Sequence, residues 1–334
     1  MTHTSHCYWI CTAVGGANGS RTFQINRGVR QGDVLSSLLF NAALEMVFQR
    51  WKEKLRNHGW HIGSNQENLT NTRYADDVLL YAKSMKELKE MLELLLDELR
   101  HVGLEMHESK TKILSSRQIP YDSLTVRDLT IQILPVEGSH KYLGKLLCLD
   151  PASRVNLAFD QRLGLAWAKF NSFRRWLVNR HIPIHLRLRL FDATVQPTVL
   201  FGLVALPLGA RNLERLAATQ RKMIRNIAGW VRIADEDWST TMSRMKARVE
   251  RAEKSHKCVP WTEATTRQQA RFVAHLRSSK CAWPRQLAAW HPGGKRSVGH
   301  PRLRWDDAIN SQCKSQFQVP TWLMTSSADL LQLA

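Results

Sequence analysis

Acidic residues are scarce in this sequence. Asp and Glu number 29 against 48 Lys and Arg in 334 residues, a formal net charge of +19, and no aspartate or glutamate occurs before Asp33. A chain so unbalanced repels itself and attracts polyanions. Nucleic acid is the partner this favours, because phosphate contacts by Lys and Arg release condensed counterions. An anionic membrane surface, or a basic surface that binds nothing, is the other reading of the same charge. Cysteine is sparse as well: six, at positions 7, 11, 148, 258, 281 and 313, with no C-x-x-C pair. That excludes a disulfide framework and a zinc ribbon. The set His256, Cys258, His275 and Cys281 fits no familiar metal spacing, so reduced, intracellular cysteine is the default. Long hydrophobic runs are missing. The longest, "PTVLFGLVALPLGA" (Pro197–Ala210), is too short to span a bilayer comfortably and suits a buried segment. "MTHTSH" at the start lacks the Lys or Arg of a secretory signal. There is no internal repeat and no low-complexity tract. "HPGGKRS" is not a phosphate-binding loop, because Arg296 stands where Ser or Thr is needed.

What is present changes period along the chain. "TAVGGANGSRTFQINRG" alternates around Asn18-Gly19, the dipeptide of type I′ hairpins, and predicts two short strands. "GVRQGDVLSSLLFNAALEMVFQRWKEKL" places Leu38, Leu39, Ala42, Ala43, Met46 and Val47 at helical spacing, with Ser36 or Ser37 as cap. "RYADDVLLYA" reads as strand, turn, strand. Ser84 and Glu87 form a capping box before a stripe of Leu88, Met91, Leu92, Leu95, Leu96 and Leu99 that Gly103 ends. "LEMHESKTKIL", "LTVRDLTIQIL" and "HKYLGKLLCL" predict further strands. From about Arg154 the pattern is helical, through "DQRLGLAWAKFNSFRRWLV" and "PIHLRLRLFDATVQPTVLFGLVALPL" to the basic amphipathic "LERLAATQRKMIRNIAGW". Beyond Arg232 the chain grows polar and basic. Twelve tryptophans are many. Those in "FRRWLVNR" and "RLRWDD" lie among cations, where aromatics stack on bases or simply belong to a core.

The chemistry centres on "TRYADDVLLYA" (Thr72–Ala82). Adjacent carboxylates on a tight turn are hard oxygen donors of the kind Mg²⁺ prefers, and two such ions clamp the attacking and leaving oxygens in phosphoryl transfer. Alone, the motif favours a turn facing water. The ordered series "RGVRQGDVLSSLLFNAALE", "YADD", "GLEMHESKTKIL" and "HKYLGKLL" resembles the palm of a reverse transcriptase, and closely that of non-LTR (LINE-type) retrotransposons. "NRHIPIHLRLRLFDATVQPTVLFG" and "LERLAATQRKMIRNIAGW" resemble the thumb region of these elements, and "GHPRLRWDDAI" their downstream segment.

The resemblance implies an α+β fold. A partial palm of antiparallel sheet with packed helices covers 1–150, a helical thumb-like region 154–232, and a basic, mixed helical and irregular region 233–334. It implies RNA-directed DNA polymerisation with Mg²⁺ or Mn²⁺, and RNA and DNA as template and primer, inside the cell in nucleus or cytoplasm. No membrane role and no particular protein partner follows. Asp76 and Asp77 match the paired metal-binding aspartates, with Tyr74 and Ala75 beside the primer terminus. Gln31 and Gly32 match the loop facing template and incoming nucleotide. Lys110 matches a lysine near the triphosphate, where a cation stabilises departing pyrophosphate. Tyr142, Leu143 and Gly144 match the hairpin that grips the primer. Packing and surface roles are the competing readings of Lys110 and Tyr142.

Two departures stand out. Ser37 replaces the family's usual Pro at a helix start. More seriously, the family's first metal aspartate lies on a strand well before the Gln-Gly loop, and here no acid precedes Gln31. The expectation is a chain truncated at its N-terminus, with two carboxylates of a three-carboxylate site, a weak cation site and no polymerase activity alone. Asp33 and Glu45 are out of position as substitutes, since misplacement by about 1 Å is already costly. A non-enzymatic nucleic-acid-binding protein is the rival reading, and a polypeptide left with an open sheet edge that does not fold stably is a third.

Overall fold

Strands β1 (Trp9–Ala13) and β2 (Arg21–Ile25) pair antiparallel, from Trp9↔Ile25 to Ala13↔Arg21, as the alternation around Asn18-Gly19 predicts. The turn itself lies outside the described residues. The computed structural model describes residues 9–13, 21–25, 34–62, 68–231, 233–256, 258–291, 296, 299, 303–318 and 321–324. They divide into two units. One comprises the described parts of Met1–Trp60, Asn68–Thr111 and Thr125–Thr130, the other those of His61–Glu67, Lys112–Leu124 and Ile131–Ala334.

In the first unit the predicted helix is α1 (Val34–Lys54), but its buried face is not the one its periodicity selects. Leu44, Val47, Phe48 and Trp51 are buried, whereas Leu38, at 61% exposure, Leu39 and Met46 are exposed. The first half of the helix is apolar on two sides, so spacing alone does not choose between them. The choice is made further along, by Trp51. Its indole N–H donates to Met91 O at 2.9 Å and its ring meets Phe48 edge-on at 5.4 Å. Ser36 and Ser37 lie inside the helix rather than at its cap, because the helix begins at Val34.

Strands β3 (Asn71–Tyr74) and β4 (Asp77–Leu80) form the next hairpin, in register Asn71↔Leu80 to Tyr74↔Asp77. Helix α2 (Met85–His101) follows, with the predicted Ser84 cap and Gly103 stop in place but only one half of the predicted capping box formed. Ser84 Oγ accepts from Glu87 N at 3.2 Å. The Glu87 carboxylate does not return to the Ser84 amide. It accepts from Lys83 N at 2.7 Å and Gly59 N at 2.6 Å instead, which ties the preceding loop to the helix start. At the far end Gly103 takes φ +72°, and Gly103 N→Arg100 O and Leu104 N→Leu99 O close a Schellman motif. Met91 and Leu95 meet the buried face of α1, and Val78 and Leu80 of β4 pack against the same cluster.

Residues Glu108–Lys110 form a 3-10 turn, a difference from the predicted strand, and Lys110 sits in that turn rather than at a strand start. The strand is reduced to β5 (Lys112–Ile113), which pairs parallel with β7 (Leu129–Ile133); β7 also pairs with β6 (Ser123–Val126). The tip of the β6–β7 hairpin belongs to the first unit. There Arg127 forms a two-point ion pair with Asp97 of α2. That bond, more than the charge alone, holds the Asp97 carboxyl below its ordinary pKa.

In the second unit β8 (Ser139–Tyr142) and β9 (Lys145–Cys148) make a further antiparallel hairpin. Helices α3 (Arg154–Ser172), α4 (Arg174–Leu177), α5 (Ile184–Leu200), α6 (Ala210–Ala228), α7 (Trp238–His256) and α8 (Trp261–Ser278) follow. A single core runs through these helices: Phe159, Phe170, Phe191, Val195, Leu216, Met223, Ile227, Val249 and Trp261 are all buried in it. The segment Ile184–Ala205 is long and apolar enough to cross a membrane by length and composition, but Leu188, Phe191, Val195 and Val199 spend its apolar face inside this core. Helices α9 (Ala282–Ala289) and α10 (Trp305–Phe317) build a smaller cluster in which Val273, Ile309 and Trp322 are buried. The chain is therefore of mixed helix and sheet, with small sheets of two and three strands.

Candidate functional site

The adjacent aspartates sit where the strand–turn–strand reading puts them. Ala75 and Asp76 form the two-residue connection, and Asp77 opens β4 opposite Tyr74. Ala75 adopts φ 52°, a left-handed conformation that costs a residue with a Cβ about 1 kcal/mol. Such strain persists only where the surroundings over-determine it. Here the determinant is the register beneath. Arg73 reaches Glu45 of α1 at 2.8 Å and lies over the Phe48 ring at 4.4 Å. Its strand partner Val78 packs on the α1–α2 core. Alternation along a strand then sends Tyr74 and Asp77 to the opposite face. Tyr74 is 67% exposed, and Ala75, Asp76 and Asp77 are exposed with it. Among the described residues neither aspartate makes an ion pair. No third His, Cys, Asp or Glu joins them in a three-donor cluster either.

Lys110 belongs to the same unit and is exposed, with its amide donating to His107 O at 3.3 Å. Gln31 and Gly32 lie outside the described residues. Tyr142, Leu143 and Gly144 belong to the second unit.

That second hairpin also turns through two residues. Leu143 and Gly144 both take positive φ, 47° and 75°, the pattern of a type I′ turn. Three contacts hold it that the sequence did not reveal. Arg162 of α3, only 6% exposed, donates to Gly144 O and covers the Phe201 ring at 4.8 Å. Lys145 donates to Gly202 O at 3.3 Å, and Leu146 N donates to Gln161 Oε1 at 3.1 Å. Burial pushes the Lys145 ammonium below its ordinary pKa, and the neighbouring Arg162 adds to that. A cation bonded to a carbonyl carries no periodic signal, and only the contact of the turn with a helix 18 residues on brings Arg162 here.

The helices after this hairpin present a basic surface. Arg211, Arg215, Arg221, Lys222 and Arg225 of α6 are exposed, opposite a face where Leu216, Met223, Ile224 and Ile227 are buried. Arg174, Arg175 and Arg180 are exposed nearby in sequence. Trp176 between them is 44% exposed, with Arg175 4.6 Å above its ring. The tryptophan of "RLRWDD" is the opposite case. Trp305 donates to Val204 O at 2.6 Å and meets Phe272 and Trp322 edge-on, so it is a core residue. A surface cavity of about 480 Å³ lined by Asn156, Asp160, Arg211, Asn212 and Arg215 contains none of the predicted site residues. Of the four residues considered for zinc, His256 and Cys258 come together, with Asp192 as the third member of their cluster in place of His275 and Cys281.

Comparison with known proteins adds the following. The family described as "Reverse transcriptase (RNA-dependent DNA polymerase)" matches residues 2–145. A transposon-derived protein of Caenorhabditis elegans is 26% identical over 257 residues, covering 74% of this chain and 86% of that protein. The Retrovirus-related Pol polyprotein from type-2 retrotransposable element R2DM of Drosophila melanogaster is 33% identical over 156 residues. The corresponding polyprotein from type-1 element R2 of Nasonia vitripennis is 38% identical over 89 residues. The matched stretches are 14% and 8% of those two polyproteins.

Proposed function

Because the chain belongs to the reverse-transcriptase family of non-LTR retrotransposons, with transposon-derived relatives, we propose that these 334 residues bind RNA and DNA on a polymerase scaffold without extending a primer by themselves. Residues 1–150 are read as palm, 154–232 as thumb-like helices, and 233–334 as the basic region that packs after them. Reverse transcriptases use divalent metal ions. In this reading Asp76 and Asp77 are the cation-facing acids, and Mg²⁺ or Mn²⁺ is the ion. Tyr74 and Ala75 border the primer end. Gln31 and Gly32 face template and nucleotide, Lys110 faces the triphosphate, and Tyr142, Leu143 and Gly144 touch the primer.

One observation carries the proposal. Asp76 and Asp77 are presented on an exposed turn with no partner cation and no third donor among the described residues, and residues 1–32 contain no carboxylate that could serve as one. Two acids on one turn hold a cation weakly. They do not preorganise the bridging geometry of two ions, and charge developing in the transition state goes uncompensated. In this reading the two acids alone do not complete a catalytic metal site among the described residues. The net charge of +19 and the exposed Arg211, Arg221 and Arg225 of α6 supply cations for phosphate, while Arg215 pairs with Asp160 at 2.6 Å.

The testing experiment is fluorescence anisotropy with a labelled RNA–DNA primer–template across a salt titration. If six to ten phosphates are contacted, affinity falls by roughly 10³–10⁵ between 50 and 200 mM salt. Salt-independent binding, or none, overturns the reading.

A further inference from the structure

We propose that Asp192, His256 and Cys258 form a zinc-binding site that ties α5 to the junction between α7 and α8. The site lies in the second unit, apart from the acidic hairpin, and does not depend on the function proposed above. One ligand atom from each of the three residues lies within 4.8 Å of the others. A tetrahedral zinc with ligands at about 2.0–2.3 Å spaces its donors at about 3.3–3.6 Å. One carboxylate oxygen, one imidazole nitrogen and one thiolate are the mixed donor set that a borderline-soft dication accepts, and they leave a fourth position for water.

The positions are held from outside the cluster. Gln220 of α6 clamps the junction, donating to Val259 O at 3.0 Å and accepting from Trp261 N at 2.7 Å. Phe191, adjacent to Asp192, stacks on Trp261 at 5.6 Å. Cys258 N donates to Glu253 O at 3.1 Å, which folds the chain back over the end of α7, and Cys258 packs against the helical core. The site also sits at a helix C-terminus, where the dipole favours positive charge.

One feature is unexplained without a cation. His256 Nε2 and Asp192 Oδ2 are 2.9 Å apart. Asp192 Oδ1, in contrast, is closed off from solvent and has no hydrogen-bond partner among the described residues. Leaving such an oxygen unsatisfied is costly, and a metal ion is one way to satisfy it. On binding, the Cys258 thiol gives its proton to solvent, since a coordinating thiol is deprotonated outright, while His256 coordinates as neutral imidazole through one ring nitrogen and keeps its proton on the other.

The test is titration of the metal-stripped full chain with Co²⁺, followed by displacement with Zn²⁺. The expected result is one cobalt per chain giving a near-ultraviolet thiolate-to-metal absorption. That band is lost in Cys258→Ser, retained in Cys281→Ser, and abolished by one equivalent of Zn²⁺ in the wild-type chain. Asp192→Asn and His256→Gln weaken cobalt binding tenfold or more. As a readout that does not depend on cobalt, Zn²⁺ raises the melting temperature of the wild-type chain and leaves that of Cys258→Ser unmoved. Absence of the band in the wild-type chain, its persistence in Cys258→Ser, or equal zinc-induced shifts in the two chains overturns the site.

Discussion

Arg162 offers the sharpest test of how the β8–β9 hairpin is held. Its guanidinium donates to Gly144 O and lies 4.8 Å from the Phe201 ring centroid. A hydrogen bond from a charged donor contributes about 1.5–3 kcal/mol, and a partly desolvated cation–π contact about 0.5–2 kcal/mol. Two terms oppose these. Burial disfavours the Arg162 charge itself, and Arg162 in turn disfavours the buried Lys145 ammonium. Arg162→Met keeps the aliphatic stem, removes both favourable contacts and relieves both penalties, so a net loss of about 1–3 kcal/mol is expected. Urea denaturation reads the global term. Hydrogen exchange of the peptide spanning 139–148 reads the local one, and its protection should fall more than that of α6. Arg162→Lys keeps the charge and one donor and should be intermediate. Wild-type stability and unchanged protection in Arg162→Met would refute the claim that this side chain pins the turn.

Other outcomes follow from the same contacts. Trp51→Ala empties a fully buried site and removes the indole hydrogen bond to Met91 O; a loss of about 3–5 kcal/mol is expected by chemical denaturation, and a loss under about 1 kcal/mol would contradict the assigned face of α1. Asp76→Asn and Asp77→Asn change exposed groups with no ion pair, so each should shift stability by less than about 0.5 kcal/mol while weakening Mn²⁺ binding measured by electron paramagnetic resonance. Arg244 first, then Thr241, hold Glu236 down to about 2 from an ordinary 4.5. Its ionised form therefore stabilises the native chain above about pH 4.5, and that contribution is lost as pH falls toward about 2. The melting-temperature gap between wild type and Glu236→Gln should close across that window, and a gap that stays constant through it would contradict the assignment.

The parts of this structure that were legible in the sequence are local ones. The turn at Ala75-Asp76, the Ser84 cap and the Gly103 stop are each written within a few residues, and each is found in place. The face of α1 was illegible because Leu38, Leu39 and Met46 compete with Leu44, Phe48 and Trp51 for the same role. Only the carbonyl of Met91, 40 residues on, decides between them. The anchors Arg162 and Arg187 were missed for a related reason. Arg187 reads as one more cation in a basic chain, yet it is buried and donates to Ile182 O at 2.9 Å. Asp192 carries no ligand-spacing signal, because it stands 64 residues before His256. In the tryptophan-rich segments sequence could not separate an exposed Trp176 from a core Trp305, since both are flanked by the same cations.

The central claim is that this chain holds nucleic acid on a polymerase scaffold whose metal site is incomplete. One sample tests it directly: purified protein at low salt with a labelled DNA primer on an RNA template, deoxynucleotides, and Mg²⁺ or Mn²⁺, read for bound fraction and for primer length. The account predicts a saturated complex with the primer at its starting length. A ladder of extended products that disappears in Asp76→Ala would contradict it.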